Sequence, residues 1–133
     1  MNTKVLTTLE YDKIKQQVAQ YLVTPAGKKL LANLYPSSNY QQVQLDLNRT
    51  QDAADILRLK GGIPLPKLAD VHLQLKRLKI NAALNGKELA EIAKVLRSAA
   101  EVKSVFSQLT IEEVNLHSLN DLANQLQVFP QLT

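Results

Sequence analysis

Residues 85–106 read NGKELAEIAKVLRSAAEVKSVF, and the fold class turns on this stretch. Asn85 and Glu88 have the spacing of a reciprocal helix start, in which the Asn amide oxygen accepts from a first-turn N–H and the carboxylate returns to the cap N–H. After them Leu89, Ile92, Leu96, Ala99 and Phe106 recur at alternating three- and four-residue steps, interrupted by Lys103. That is the period of an α-helix with one apolar seam. Three heptads are short for an intermolecular coiled coil, so the seam predicts packing inside a bundle.

Helix signals continue outward on both sides. Thr7 and Glu10 have capping-box spacing, and Tyr11, Ile14, Val18, Tyr21 and Leu22 follow as a single stripe. Thr24-Pro25 reads as a cap with proline at the first helical position, opening a short helix that stops before Tyr35-Pro36. Ser38 and Gln41 repeat the capping-box spacing and predict a third helix running to Lys60. There Gly61-Gly62 supplies the left-handed end, and Pro64 and Pro66 forbid continuation. This helix has two apolar faces. Val43, Leu47, Ala54 and Leu57 fall within about 80° of arc, with Leu45, Ile56 and Leu59 nearly opposite. Residues 71–80 alternate like a strand at first, but leucine fills most apolar slots and Asp70 is placed to cap, which favours a helix. A last helix is predicted over Ser118–Gln127 through Leu119, Leu122, Ala123 and Leu126. The expected fold is therefore all-α, a helical bundle of about five or six helices forming one domain over residues 1–133.

Composition narrows the chemistry. The 133 residues are 45% apolar and 21% charged, as in a folded globular chain rather than a disordered one. There is no cysteine, which removes disulfides, thiol nucleophiles and cysteine zinc sites. His72 and His117 stand 45 residues apart, so neither has a second imidazole nearby to share a metal. No apolar run approaches the roughly 20 residues of a membrane span, and the N-terminus lacks the pattern of a signal peptide. A cytoplasmic protein without membrane partners is expected. Charge is uneven: residues 58–79 carry Arg58, Lys60, Lys67, Lys76, Arg77 and Lys79 against Asp70 alone. Residues 104–133 carry only acids.

Catalytic patterns are missing. Gly86-Lys87 is followed by Glu88 rather than Ser or Thr, and Asn81 stands where a phosphate loop needs its first glycine. The acid pairs Asp52/Asp55 and Glu112/Glu113 come with no apolar cleft residues to separate their pKa values, and they read as solvated helix faces. No catalytic, cofactor-binding or metal-binding residue is assigned. The one positive signal is for nucleic acid: Lys76, Arg77 and Lys79 can neutralise phosphates without reading sequence. The six aromatics, Tyr11, Tyr21, Tyr35, Tyr40, Phe106 and Phe129, all lie outside that segment, which disfavours single-strand recognition by stacking.

Two blocks carry a family resemblance. The opening Lys4-Val5-Leu6-Thr7-Thr8-Leu9-Glu10-Tyr11-Asp12-Lys13-Ile14 and the run Ile56-Leu57-Arg58-Leu59-Lys60-Gly61-Gly62-Ile63-Pro64-Leu65 resemble the N-terminus of the second type of bacterial MutS protein, the paralogue with a C-terminal Smr nuclease domain. Asp70, Leu78-Lys79-Ile80, Leu84, Glu88-Leu89, Ile92 and Leu96-Arg97 continue the match, although Asn81-Ala82 replace expected small, glycine-rich residues. The resemblance implies a fragment of a dimeric protein several hundred residues long, with ATP and Mg bound in an ATPase domain elsewhere. It also implies DNA as a partner, suppression of recombination and, in some bacteria, action on collided ribosomes and their rRNA. This chain would be the first part of the helical core and lever. The Phe-x-Glu wedge of ordinary MutS is absent, so mismatch reading is not expected. A free-standing helical module that binds nucleic acid through the basic segment is the alternative.

Overall fold

The computed structural model describes residues 2–112 and 114–132. Among them are seven α-helices, a short 3-10 turn and no strand: α1 (Thr3–Thr8), α2 (Tyr11–Ala19), α3 (Pro25–Ala32), α4 (Tyr40–Lys60), α5 (His72–Lys79), α6 (Gly86–Ile111) and α7 (His117–Asn124). The all-α expectation holds, with one helix more than anticipated. None is long and apolar enough to cross a membrane.

The extra helix lies at the start. Asn2 caps α1 by accepting from Val5 N–H at 2.9 Å, so Thr7 falls inside a helix that begins earlier and its hydroxyl donates back to the Thr3 carbonyl. Glu10 takes a left-handed conformation at the α1–α2 junction, with φ 54°, and its carboxylate pairs with Lys13. The Thr7/Glu10 capping box therefore does not form. The α4 start also moves by one residue. Asn39 rather than Ser38 accepts from the amide three residues on, Gln42 N–H, while the Gln42 side chain bonds Asp46.

Other local signals are realised as read. The Thr24 hydroxyl accepts from Gly27 N–H at 3.1 Å, with Pro25 in the first turn. Gly61, at φ 75°, ends α4 in the left-handed conformation. Residues 72–79 are helical as expected, but the cap position falls on Val71, which makes no side-chain cap bond, and Asp70 instead accepts from the His72 N–H. Asn81, at φ 56°, adopts the conformation a glycine would take after α5, which accounts for an Asn in a glycine-like position. At the head of α6 both halves of the Asn85/Glu88 box are present. The Glu88 carboxylate also receives the Arg77 guanidinium, whose other nitrogen donates to the Ala83 carbonyl at 2.6 Å.

The core joins the C-terminal turns of α4 and α6 to α7. Ile56 of α4, Phe106 and Leu109 of α6, Leu116 and Ala123 of α7 are buried together, with Val102, Val105 and Leu119 packed around them. Helix α7 starts one residue earlier and ends three earlier than Ser118–Gln127, and its own cap residue, Leu116, supplies no side-chain bond. The cap comes from α4: Asp52 Oδ2 accepts from Leu119 N–H at 3.0 Å. Asp52 is thus half-buried and structural, not a solvated acid. Of the two apolar faces of α4, one sends Ile56 into the core while its Leu59 stays exposed, and the other keeps Leu47 and Leu57 exposed with Val43 half-buried.

Two outcomes follow from these caps. Asp52→Ala removes a cap worth about 1 kcal/mol, and urea unfolding followed by circular dichroism should show a lower midpoint at unchanged slope; an unmoved midpoint would mean that α7 does not depend on α4. Glu88 is held below the ordinary glutamate range by the Asn85 N–H and then by Arg77, and Glu112 by Lys60 and then by Gln108. Since the folded-state values are the lower ones, this stabilisation is present above the unfolded value of about 4.3 and is lost as pH falls through the folded values. The unfolding midpoint should therefore drop between pH 6 and pH 3, and Glu88→Gln should flatten that drop. A profile identical to that of the unaltered chain would overturn the assignment.

Candidate nucleic-acid interface

The basic segment is less basic in three dimensions than in one. Arg58 pairs with Asp55 on its own helix, Lys60 with Glu112 at the end of α6, and Arg77 with Glu88. All three acids lie outside residues 58–79. Asp70, the lone acid inside the segment, is claimed in turn by Lys29 of α3. Its carboxyl is held below the usual range by the His72 N–H and then by Lys29. Helix α5 therefore presents Lys76 and Lys79, exposed and without an ion-pair partner among the described residues. They lie one turn apart on the flank that also carries His72. Lys67 is the remaining cation of the segment without such a partner.

Of the three expected contacts, the structure thus leaves Lys76 and Lys79 together on one exposed flank and engages Arg77, itself exposed, with Glu88 and Ala83 at the corner between α5 and α6. A second pair of cations, Lys94 and Arg97, lines a shallow groove on α6 with Pro66, Ser98 and Glu101. It escapes a reading by charge sums because Glu88, Glu91 and Glu101 offset most of the four cations of residues 80–103, Lys87, Lys94, Arg97 and Lys103. Lys103, the fourth cation of that segment, is occupied by the Leu126 carbonyl at 2.7 Å.

The remaining candidates have structural partners. Tyr11 and Tyr35 are stacked at 6.4 Å between centroids, with Lys15 4.1 Å from the Tyr35 ring. The Tyr11 hydroxyl and Lys15 ammonium donate to the Leu34 and Ala32 carbonyls, so the cluster fastens α2 to the end of α3. Asp55 is bonded by Gln51 and Arg58, and Glu112 by Lys60 and Gln108. Glu113 lies outside the described residues. His72 and His117 each begin a helix, and among the described residues no three His, Asp or Glu side chains converge as a metal site. An apolar groove of about 300 Å³ between the start of α3, residues 68–72 and α6 has Asp70 and His72 at its polar side. What these residues offer chemically is phosphate attraction and helix scaffolding.

No protein-family profile matches the chain. Individual relatives do, from end to end. The chain is 47% identical over 133 residues to a protein of Latilactobacillus sakei named Endonuclease MutS2. It is 47% identical over 132 residues to the protein of that name from Pediococcus pentosaceus, and 41% identical over 132 residues to the one from Enterococcus faecalis. In each case 99% or 100% of this chain is covered, against 17% of the relative. The chain therefore belongs to the MutS2 family, as a segment spanning about one-sixth of the length of its curated relatives.

Proposed function

We propose that these 133 residues are the N-terminal helical core and lever segment of a longer MutS2-type protein, a strut that couples chemistry performed elsewhere in the polypeptide. The observation that carries this reading is the end-to-end match at 47% identity to a segment making up only 17% of a protein named as an endonuclease. The side chains agree with it, because Asp52 and Glu88 cap helices while Lys60 and Arg77 join them. The segment itself contributes no catalytic group. The parent is a cytoplasmic, dimeric ATPase that binds ATP with Mg, engages DNA and cuts it with a separate nuclease domain. Its proposed tasks are suppression of recombination and release of collided ribosomes, with rRNA as the second nucleic-acid ligand.

The core of α4, α6 and α7 is where a strut of this kind is vulnerable. Ile56→Ala or Leu109→Ala in the full-length protein costs about 2–5 kcal/mol of packing. DNA-stimulated ATP hydrolysis should fall several-fold, while unstimulated hydrolysis stays within twofold. Stimulation that persists in a variant whose lowered unfolding midpoint proves the packing loss would overturn the strut.

The unpaired Lys76 and Lys79 favour a second reading, in which the α5 flank itself touches phosphates. Converting both to Glu should then lower duplex affinity and reduce the slope of log affinity against log salt by about 2. An unchanged slope would remove this flank from the nucleic-acid surface.

A further inference from the structure

The outward side of α4 carries an apolar seam that is exposed at every position but the half-buried Val43 and is not covered by another helix among the described residues. Tyr40, Val43, Leu47, Thr50, Ala54 and Leu57 follow one another at steps of three, four, three, four and three residues. The seam is about 26 Å long and covers about 100° of the helix. Tyr40 is 78% exposed, Leu47 59% and Leu57 62%, although Ile56 on the reverse side is 1% exposed. A 3.5-residue repeat is the pattern by which one helix receives another, knobs into holes. It is a poor pattern for a helix left in water.

We propose that this seam is the docking site for a long amphipathic helix from the part of the same polypeptide that lies outside these 133 residues. The inference rests on the reading that the chain is one segment of a MutS2-type protein, and three observations choose the occupant. First, the relatives have roughly six times this chain's length, so ample polypeptide exists to supply a helix. Second, the accessible surface is 10133 Å², where a self-sufficient monomer of 14.8 kDa would expose about 7,000 Å². The excess is several times the roughly 800 Å² that a standard interface removes from one partner. That deficit calls for permanent cover of the kind found inside a domain.

Third, the seam does not suit a copy of itself. Its middle is made of Thr50 and Ala54, both small. In a parallel pair in register, Thr50 would face Thr50 and Ala54 would face Ala54; in an antiparallel pair centred there, each would face the other. Either arrangement leaves a void at the centre of the contact, and voids forfeit packing. A helix bringing one bulky apolar side chain to the Thr50–Ala54 notch fills it, while Leu47 and Leu57 grip on both sides. The flanking Asp46, Arg58 and Lys60 are already paired with Arg49, Asp55 and Glu112, so the seam's edges exert little charge selection. Recognition is therefore by shape and apolar area.

The test places a photo-crosslinking benzoylphenylalanine at Leu47, and separately at Leu57, in the full-length protein. Expected is a product that keeps single-chain mass on a denaturing gel and whose crosslinked peptide lies beyond residues 1–133. A product of doubled mass would overturn the proposal in favour of a second copy. So would a link confined to residues 1–133, or no link at all from either site. Measuring DNA-stimulated ATP hydrolysis on the same protein before irradiation separates this result from the strut reading, since the seam can be covered whether or not the segment transmits anything.

Discussion

The hydrogen bond from Leu119 N–H to the Asp52 carboxylate is the constraint on which the core depends. Helix α7 has eight residues and no cap of its own, and in isolation a helix that short does not persist in water. It is held by a carboxylate 67 residues earlier in the chain and by the burial of Leu116 and Ala123. Because α7 packs on both α4 and α6, fixing it brings the two long helices to a common core. Leu109, fully buried, sits where all three meet. The Lys60–Glu112 pair then ties the end of α4 to the end of α6 from outside.

The same economy governs the charges. Half the cations of a stretch that looks like a polycation along the chain are paired with acids from outside it, and each of these pairs joins separate elements or stiffens one helix. Exposed ion pairs of this kind add little stability individually. Their effect is on geometry: Lys29 sets α3 against the segment before α5, and Arg77 sets α5 against α6. Only Lys76 and Lys79 remain as an undisturbed cationic pair on the α5 flank.

Local chemistry made much of this legible in the sequence. The Asn85/Glu88 box, the Thr24-Pro25 start, the Gly61 stop and the helical character of residues 72–79 all depend on atoms within a few residues of one another, and each appears in the structure. Where two local signals compete, the reading fails. Thr7/Glu10 has the right spacing, but Asn2 captures the helix first, and Asn39 displaces Ser38 in the same way. Contacts between distant residues were not legible at all. Nothing near Leu119 reveals that its cap is Asp52, and nothing near Arg77 reveals that Glu88 lies within reach once Asn81 turns the chain back. The candidate site suffers from the same limit, since which cations stay unpaired is a property of the packed helices.

The corner between α5 and α6 has a mechanical meaning as well. One guanidinium holds both the last carbonyl stretch of the turn, at Ala83, and the first-turn carboxylate of α6, at Glu88, while that carboxylate also grips the Asn85 N–H. The three anchor points triangulate the turn, so the corner resists flexing much as a gusset plate stiffens the joint of a frame. Bending at residues 80–85 would have to break these hydrogen bonds together. The angle set at this corner is carried along α6, whose 26 residues span about 39 Å, to the core at its far end.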